Sequence, residues 1–305
     1  MNMFTTGSGR LHPVWAFVLS VMLSALAFQG CASLAEAVAG NHYLVSELVF
    51  RTLLVLVLLG LYSWLLTTAD HIEEHRVAAM GLPYVRGWFR QWTGGCILGF
   101  GLVVLAIILI VAVSHGFHAD LHLTSRTVPR LVAALAVLIT GSLAEELMFR
   151  GYPFQRLEEG IGAVGAIAVF SILFGVVHLL NPGATVWGLG DTILIGIVLA
   201  IAYLRTRALW LPWGIHFAWN ATLGLLLGLP VSGLRVFNVV VRSSVAGPAW
   251  LTGGGYGIEA SATGAVVVLI GMATVWKWPL RPLRGPMLSA EDKLVHRGHV
   301  PGIQG

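Results

Sequence analysis

The sequence contains repeated apolar stretches, each about as long as a helix that crosses a lipid bilayer. Roughly 20 consecutive apolar residues span the hydrocarbon core as a helix, and a helix satisfies its own backbone hydrogen bonds where no water is present. We predict eight such spans, at 13–38, 48–68, 92–114, 128–150, 161–180, 188–205, 208–229 and 261–278. Only 10% of the residues are charged, whereas a soluble domain carries about 25%. The predicted fold class is therefore all-α, a polytopic helical membrane protein.

The spans divide the chain into four regions. These are N-terminal transmembrane helices and linkers at 1–127, a segment with unusual polar residues at 128–230, a Gly-rich loop and final helix at 231–278, and a tail at 279–305. We expect the tail to be disordered, because it combines prolines with scattered charge. Residues 1–30 loosely resemble a cleaved leader that ends before Cys31, but apolar character continues to Ala39, so we favour a retained first span.

Orientation follows from the distribution of Lys and Arg, which favours the cytoplasmic side of membrane proteins. With eight spans both termini lie on one side, and that side collects 13 of the 18 Lys and Arg residues. We therefore predict cytoplasmic termini and a location in the bacterial cytoplasmic membrane. The same bias explains the net charge of +4, so we expect the lipid bilayer, and no nucleic acid, as a partner.

Two adjacent acids lie near the end of the fourth span. Neighbouring helical side chains point about 100° apart, so Glu145 and Glu146 cannot share one task. Glu146 and Arg150 are four residues apart in the favourable order for an ion pair, which leaves Glu145 without a local partner. A carboxylate in an apolar site can transfer protons near neutral pH. The alternative is a solvated charge cluster at a helix end.

Two further spans carry polar residues. His178 lies near the end of the fifth span, and His216 and Asn220 lie one turn apart on the seventh. A lone histidine is often a core residue, and a His/Asn pair can simply join helices, yet ionisable residues inside spans often mark function. If helix four extends to about Glu158, Glu145 and the two histidines lie at overlapping depths. We therefore predict one shared chamber.

In this order the motifs resemble those of the CAAX protease and bacteriocin-processing (CPBP, or Abi) intramembrane proteases. The family pattern reads here as Glu145-Glu146-x-x-x-Arg150, Phe174-x-x-x-His178 and His216-x-x-x-Asn220. Each motif is weak alone, but the ordered set is specific. The resemblance covers about 128–230, the implied catalytic core. It implies a helical membrane enzyme that cleaves a membrane-associated protein or peptide, with Glu146 and Arg150 supporting the site structurally.

Two mechanisms are compatible with these residues. In the first, Glu145 and His178 activate a water for attack on the scissile carbonyl, while His216 and Asn220 donate hydrogen bonds to the oxyanion. In the second, Glu145, His178 and His216 bind Zn²⁺, a known catalytic ligand set, as in a metalloprotease. The expected cofactor is therefore none or zinc. We favour the metal-free version slightly, because Asn220 is an unusual zinc ligand.

Two features outside the motifs have simpler interpretations. His71-Ile72-Glu73-Glu74-His75 matches an inverted zincin motif, but it lies in a short polar linker without a soluble domain to supply a third ligand. We interpret it as a solvated juxtamembrane segment. Glu259 lies just before the eighth span, where an acid favours helix initiation, so we expect no reaction at that residue.

Two other classes of function stay open. A transporter also places polar residues at membrane depth, although the sequence has no clear internal repeat. A non-catalytic scaffold or immunity protein could share the fold, because a fold does not establish activity. The compact set of an acid, two imidazoles and an amide favours hydrolysis over both alternatives.

Overall fold

The computed structural model describes residues 4–7, 9–40 and 42–283, which form a helical membrane protein. In chain order the elements are α1 (Pro13–Ala39), α2 (Tyr43–Thr68), α3 (Arg76–Ala79), α4 (Trp88–Ser114), β1 (Phe117–Leu121), α5 (Thr127–Arg150), α6 (Tyr152–His178), α7 (Val186–Thr206), α8 (Trp210–Ala221), a π turn (Thr222–Leu226), β2 (Val241–Val245), α9 (Ala249–Thr252), a 3₁₀ turn (Ile258–Ala260) and α10 (Ala262–Lys277). Each of the eight predicted spans overlaps a helix.

Five helical stretches of the described chain are long and apolar enough to cross a membrane. They are Pro13–Ala39, Tyr43–Thr68, Trp88–Ser114, Thr127–His178 and Val186–Thr206, and the fourth of these contains both α5 and α6. Helix α8 has 12 residues and α10 has 16, which is short for a crossing of about 30 Å. A polytopic helical membrane protein is thus confirmed, while the count of eight crossings and the cytoplasmic termini stay predictions.

The fourth predicted helix ends earlier than the depth count assumed. Helix α5 ends at Arg150 rather than near Glu158, because Gly151 leaves the helical conformation with φ −79° and ψ −142°. Pro153 then occupies the first turn of α6, where its missing N–H breaks no helical hydrogen bond. The assumption of one continuous helix was therefore wrong. A second interruption divides α6 at Gly162, which has φ 82°.

A small sheet joins two segments that were predicted to be linkers. Strands β1 and β2 pair antiparallel, with Phe117 opposite Val245 at one end and Leu121 opposite Val241 at the other. The description as all-α is therefore incomplete by this two-stranded sheet. The pairing holds part of the Gly-rich loop 230–260 beside the end of α4, so the loop forms a structured wall of the protein.

Helices α4 and α8 pack with their backbones in contact. A Cβ atom on Gly95 would overlap the backbone oxygen of Leu211, and a Cβ on Gly99 would overlap that of Ile215. Small residues spaced four apart allow this close approach between membrane helices. Helix α8 is thereby held against α4, which sets the position of His216 on the opposite side.

The end of the described chain returns to α7. The backbone N–H of Leu283 donates to the carbonyl oxygen of Thr206 at 3.0 Å. Residues 279–283 of the predicted disordered tail are thus in contact with the helical body. The rest of that tail, 284–305, lies outside the described residues.

Candidate active site

A cavity of about 420 Å³ lies between the helices that carry the three motifs. Glu145 from α5, His178 from α6, and His216 and Asn220 from α8 all line it, and most of the remaining wall is apolar. The fold therefore brings together, from three helices, the four side chains that the sequence analysis proposed as catalytic. A concave, mainly apolar cavity with a few convergent polar groups is the usual form of a ligand or substrate site.

Glu145 has a partner that its own helix does not provide. Arg51 Nη1 on α2 donates to Glu145 Oε1 at 3.3 Å, and Arg51 Nε donates to Glu47 Oε2 at 3.1 Å. Glu145 Oε2 is buried, lies 3.6 Å from His216 Nε2, and has no hydrogen-bond partner among the described residues. One oxygen of this carboxylate is thus held by a cation, while the other lacks a donor.

Glu146 links two motifs. It is fully buried and accepts hydrogen bonds on Oε1 from Arg150 Nη1 at 3.2 Å and from His216 Nδ1 at 2.8 Å. The ion pair predicted from the four-residue spacing is present. Arg150 also donates to the carbonyl oxygen of Gly196 at 3.1 Å. Because a carboxylate only accepts, His216 carries a hydrogen on Nδ1. Glu146 therefore orients His216, a contact that the sequence analysis did not include.

His178 is oriented by its own helix. Its Nδ1 lies 2.6 Å from the carbonyl oxygen of Phe174. A carbonyl accepts but cannot donate, so Nδ1 carries the hydrogen and the Nε2 lone pair is free. The Phe174 ring lies between the two histidines, with its centre 4.6 Å from the His178 ring and 6.0 Å from the His216 ring. The Phe-x-x-x-His motif therefore fixes the tautomer of His178 and places an apolar ring between the two histidines.

Asn220 is half-buried on the cavity wall, and its carboxamide makes no hydrogen bond to another residue in the described part of the chain. Two residues further on, α8 changes into the π turn. Such turns are rare and are frequent at functional sites. The neighbouring Trp219 is buried, and its Nε1 donates to Glu259 Oε1 at 2.9 Å.

Glu259 is the second carboxylate group of the cavity, on the side formed by the Gly-rich loop. Its Oε2 accepts from the backbone N–H of Ser232 and, at 2.9 Å, from the Ser232 hydroxyl. With the Trp219 bond, both oxygens are satisfied, and the residue is 4% exposed. Burial raises the pKa of the Glu259 carboxyl above its usual range, although the hydrogen bonds from Ser232 and Trp219 oppose that shift.

Sequence reasoning missed two charged residues of this cavity. Arg51 lies inside the predicted second span, so its charge at membrane depth was a usable signal. Glu259 was predicted to begin the eighth helix, and this was wrong. Helix α10 begins at Ala262, and the side chain of Ser261 caps it by accepting from the N–H of Gly264 at 2.9 Å. The Gly-rich loop around Glu259 carries no local pattern that reveals its tertiary position.

Metal binding was considered for two sets of residues. Within 4–7, 9–40 and 42–283, no group of three His, Cys, Asp or Glu side chains is arranged to hold a metal ion. The zinc set of Glu145, His178 and His216 therefore does not converge as a ligand cluster. His71 and His75 are exposed in the linker after α2, both with left-handed backbone at φ 58° and 53°, consistent with the solvated segment expected there.

Comparison with known proteins concerns the segment that carries the motifs. No curated protein and no solved structure matches the chain. Residues 126–222, about a third of the chain, match the family described as type II CAAX prenyl endopeptidase Rce1-like. The matched range contains all three motifs and excludes Arg51 and Glu259. The resemblance to the CPBP proteases is therefore confirmed over residues 126–222 of this integral membrane protein, which are similar to the Rce1-like endopeptidase family.

Proposed function

We propose that this protein is an intramembrane endopeptidase that hydrolyses a peptide bond of a membrane-associated protein or peptide. The observation that carries the proposal is Glu145, a carboxylate on the wall of an apolar cavity whose Oε2 lacks a donor among the described residues. A general base needs an oxygen that is available to accept a proton. The match to the Rce1-like endopeptidase family supports the same reaction class.

In the proposed reaction, a water between Glu145 and His178 attacks the carbonyl carbon of the scissile bond. Glu145 accepts a proton from this water, and the Nε2 lone pair of His178 orients it, since Nδ1 is bonded to the Phe174 carbonyl. The C–N bond then breaks as Glu145 returns the proton to the leaving nitrogen. The products are a new carboxyl terminus and a new amino terminus, and water is the only co-reactant.

His216 and Asn220 are proposed to stabilise the negative charge that develops on the carbonyl oxygen. When charged, His216 carries hydrogens on both ring nitrogens, so Nε2 can donate to the oxyanion while Nδ1 stays bonded to Glu146. The Asn220 carboxamide has no competing bond to the described chain and can donate through Nδ2. Removal of one such donor typically lowers the rate about 100- to 1000-fold.

This mechanism is proposed without a metal ion. The zinc alternative needs Glu145, His178 and His216 on one ion with an open position for water. The guanidinium of Arg51, 3.3 Å from Glu145 Oε1, would repel a cation bound at that carboxylate. The amide of Asn220 also suits an oxyanion better than a zinc ion. Both observations support the metal-free version.

The rim of the cavity supports an apolar, membrane-associated substrate. Phe28 of α1 and Val177 and Leu180 at the end of α6 line the cavity, and all three are exposed on the surface of the protein. In a bilayer, exposed apolar side chains at a cavity mouth face lipid rather than water. We propose that the substrate enters along this rim from the lipid.

The experiment is cleavage of a panel of fluorogenic membrane-associated peptides by purified protein in proteoliposomes. We expect Glu145→Gln to lose about 100- to 10,000-fold of the rate of the natural sequence. Glu73→Gln, an exposed change in the linker after α2, serves as the matched control and should cleave normally. Zinc content is measured on the same samples, and a stoichiometric ion would replace the metal-free version. Full activity in Glu145→Gln would refute the proposed site.

A further inference from the structure

The two proposed oxyanion donors on α8 are restrained in different ways. The His216 ring is fixed directly, because Glu146 accepts its Nδ1 hydrogen at 2.8 Å. The Asn220 carboxamide has no hydrogen-bond partner in the described residues. Its position must therefore come from the backbone of α8. That backbone is about to leave α-helical geometry, since the π turn begins at Thr222.

The residue next to Asn220 supplies a restraint from outside the helix. Trp219 is buried, and its Nε1 donates to Glu259 Oε1 at 2.9 Å. Because Trp219 and Asn220 are consecutive, a shift of one backbone position moves the other. Glu259 belongs to the 3₁₀ turn before α10, so this hydrogen bond ties the end of α8 to a segment 40 residues away.

Glu259 is itself held firmly on its other oxygen. Ser232 directs both its backbone N–H and its hydroxyl at Oε2. The Ser232 backbone has φ 46°, a left-handed conformation that is uncommon outside glycine and persists only where surrounding contacts compensate for it. Three donors thus converge on one buried carboxylate at the cavity wall. This arrangement is a rigid anchor, because donors from two separate segments hold both oxygens of the carboxylate in place.

We infer that Glu259 is a positioning residue for catalysis, which acts through Trp219 to hold the Asn220 turn of α8 at the oxyanion site. The inference rests on the proposed function, because it assigns Asn220 the role of oxyanion donor. It adds a residue from outside the matched segment 126–222. The cavity then uses two carboxylates as anchors, Glu146 for His216 and Glu259 for Asn220.

The kinetic test removes the hydrogen bond between the two residues. Trp219→Phe deletes the N–H and keeps a smaller aromatic ring, while Trp276→Phe, an exposed position on α10, is the matched control. We expect Trp219→Phe to lower kcat about 10-fold with KM changed by less than about twofold, since a small misplacement of a catalytic group affects mainly the transition state. Unchanged kcat in Trp219→Phe, with normal folding, would overturn the inference.

A double-mutant cycle separates positioning from general stability. Asn220→Ala should lower kcat about 100-fold, and adding Trp219→Phe to it should have less than about a twofold further effect, because the group being positioned is already absent. If the two substitutions instead lowered kcat by independent factors that multiply in the double variant, the inference would be overturned. Full activity in Asn220→Ala would remove the proposed role of Asn220 and the inference with it. Glu259→Gln should match Trp219→Phe or be more severe.

A third measurement does not depend on cleavage. In a Cys31→Ala/Cys96→Ala background, Asn220→Cys places a single thiol on the cavity wall for maleimide labelling. Loss of the anchor by Trp219→Phe should raise the labelling rate at least about threefold, because the turn becomes more mobile. An unchanged rate would contradict the anchor even if no peptide is cleaved by the protein. A raised rate without any cleavage would retain the anchor and reject only the proteolytic function.

Discussion

Glu145 and Glu259 line the same cavity, and the acidic pair on α5 differs from Glu259 in how its carboxylates are hydrogen-bonded. Glu145 and Glu146 each keep one buried oxygen without a hydrogen-bond partner among the described residues. Glu259, in contrast, has both oxygens satisfied by Trp219 and Ser232. Both regions contact α8, the pair through His216 and the anchor through Trp219.

This difference indicates which carboxylate can take part in the reaction and which carboxylates hold other residues in position. Buried polar atoms without a partner are costly and are retained mainly where function requires them. A carboxylate that receives three hydrogen bonds is fixed in place, because those donors restrain both of its oxygens. Glu145 therefore has the properties of a reacting group, whereas Glu146 and Glu259 each hold a residue of α8 in position.

The largest effect in this comparison is expected for Glu146→Gln, which removes the negative charge that pairs with Arg150 and accepts from His216. Arg150 would stay fully buried without a counter-charge, and we expect unfolding to become easier by about 3–5 kcal/mol. His216 would keep only a neutral acceptor in place of a carboxylate, which no longer stabilises its charged form, so cleavage should fall at least about 100-fold. Thermal unfolding in detergent and initial cleavage rates measure the two effects.

A second substitution separates those two effects. Arg150→Met added to Glu146→Gln removes the unpaired charge, so stability should recover in large part while cleavage stays low. Recovery of cleavage together with stability would show that Glu146 does not orient His216.

Displacement of α8 should affect both regions at once. Gly99→Val places side-chain atoms where the Ile215 backbone oxygen lies, so we expect a lower melting temperature and a loss of cleavage of about 10- to 100-fold. The control is Gly101→Val on the same helix, where a Cβ meets no atom within 4 Å. Equal behaviour of the two variants would argue against close α4–α8 packing as the determinant of the site.

Removal of the positive charge of Arg51, which contacts Glu145, should have a smaller effect. Arg51→Gln removes the donor to Glu145 Oε1, and we expect kcat/KM to fall about 10-fold, the scale of one charge-assisted hydrogen bond. Glu47→Gln, which leaves the contact between Arg51 and Glu145 in place, should fall less. Higher activity in Arg51→Gln would instead mean that Arg51 restrains Glu145 in a resting state.

The smallest effect is expected at the exposed histidines of the linker after α2. His71→Ala and His75→Ala should each change the cleavage rate by less than about twofold, since exposed substitutions distant from the site are usually near neutral. Zinc content and cleavage of both variants check this expectation. Loss of activity in both would establish the zincin-like motif as a functional site in place of the cavity.

Local patterns in the sequence predicted a helical membrane protein correctly for a clear physical reason. In lipid each spanning segment must satisfy its own backbone, so apolar length predicts helices without knowledge of their neighbours. The Glu146–Arg150 pair follows from helix geometry in the same way, because residues four apart share a face. The fourth predicted span ends with α5 at Arg150, whereas the extension to about Glu158 that the depth comparison assumed fails at Gly151.

The contacts between distant segments depended on the fold. Arg51 meets Glu145 across 94 residues, His216 meets Glu146 across 70, and Glu259 meets Trp219 across 40. No periodicity links such residues, because hydrophobic patterns specify which face of a helix is buried but not which partner covers it. The sequence therefore sufficed for a helical membrane protein with a protease-like set of residues. Only the tertiary structure assigned the long-range partners of these carboxylates, because those partners come from separate helices and loops.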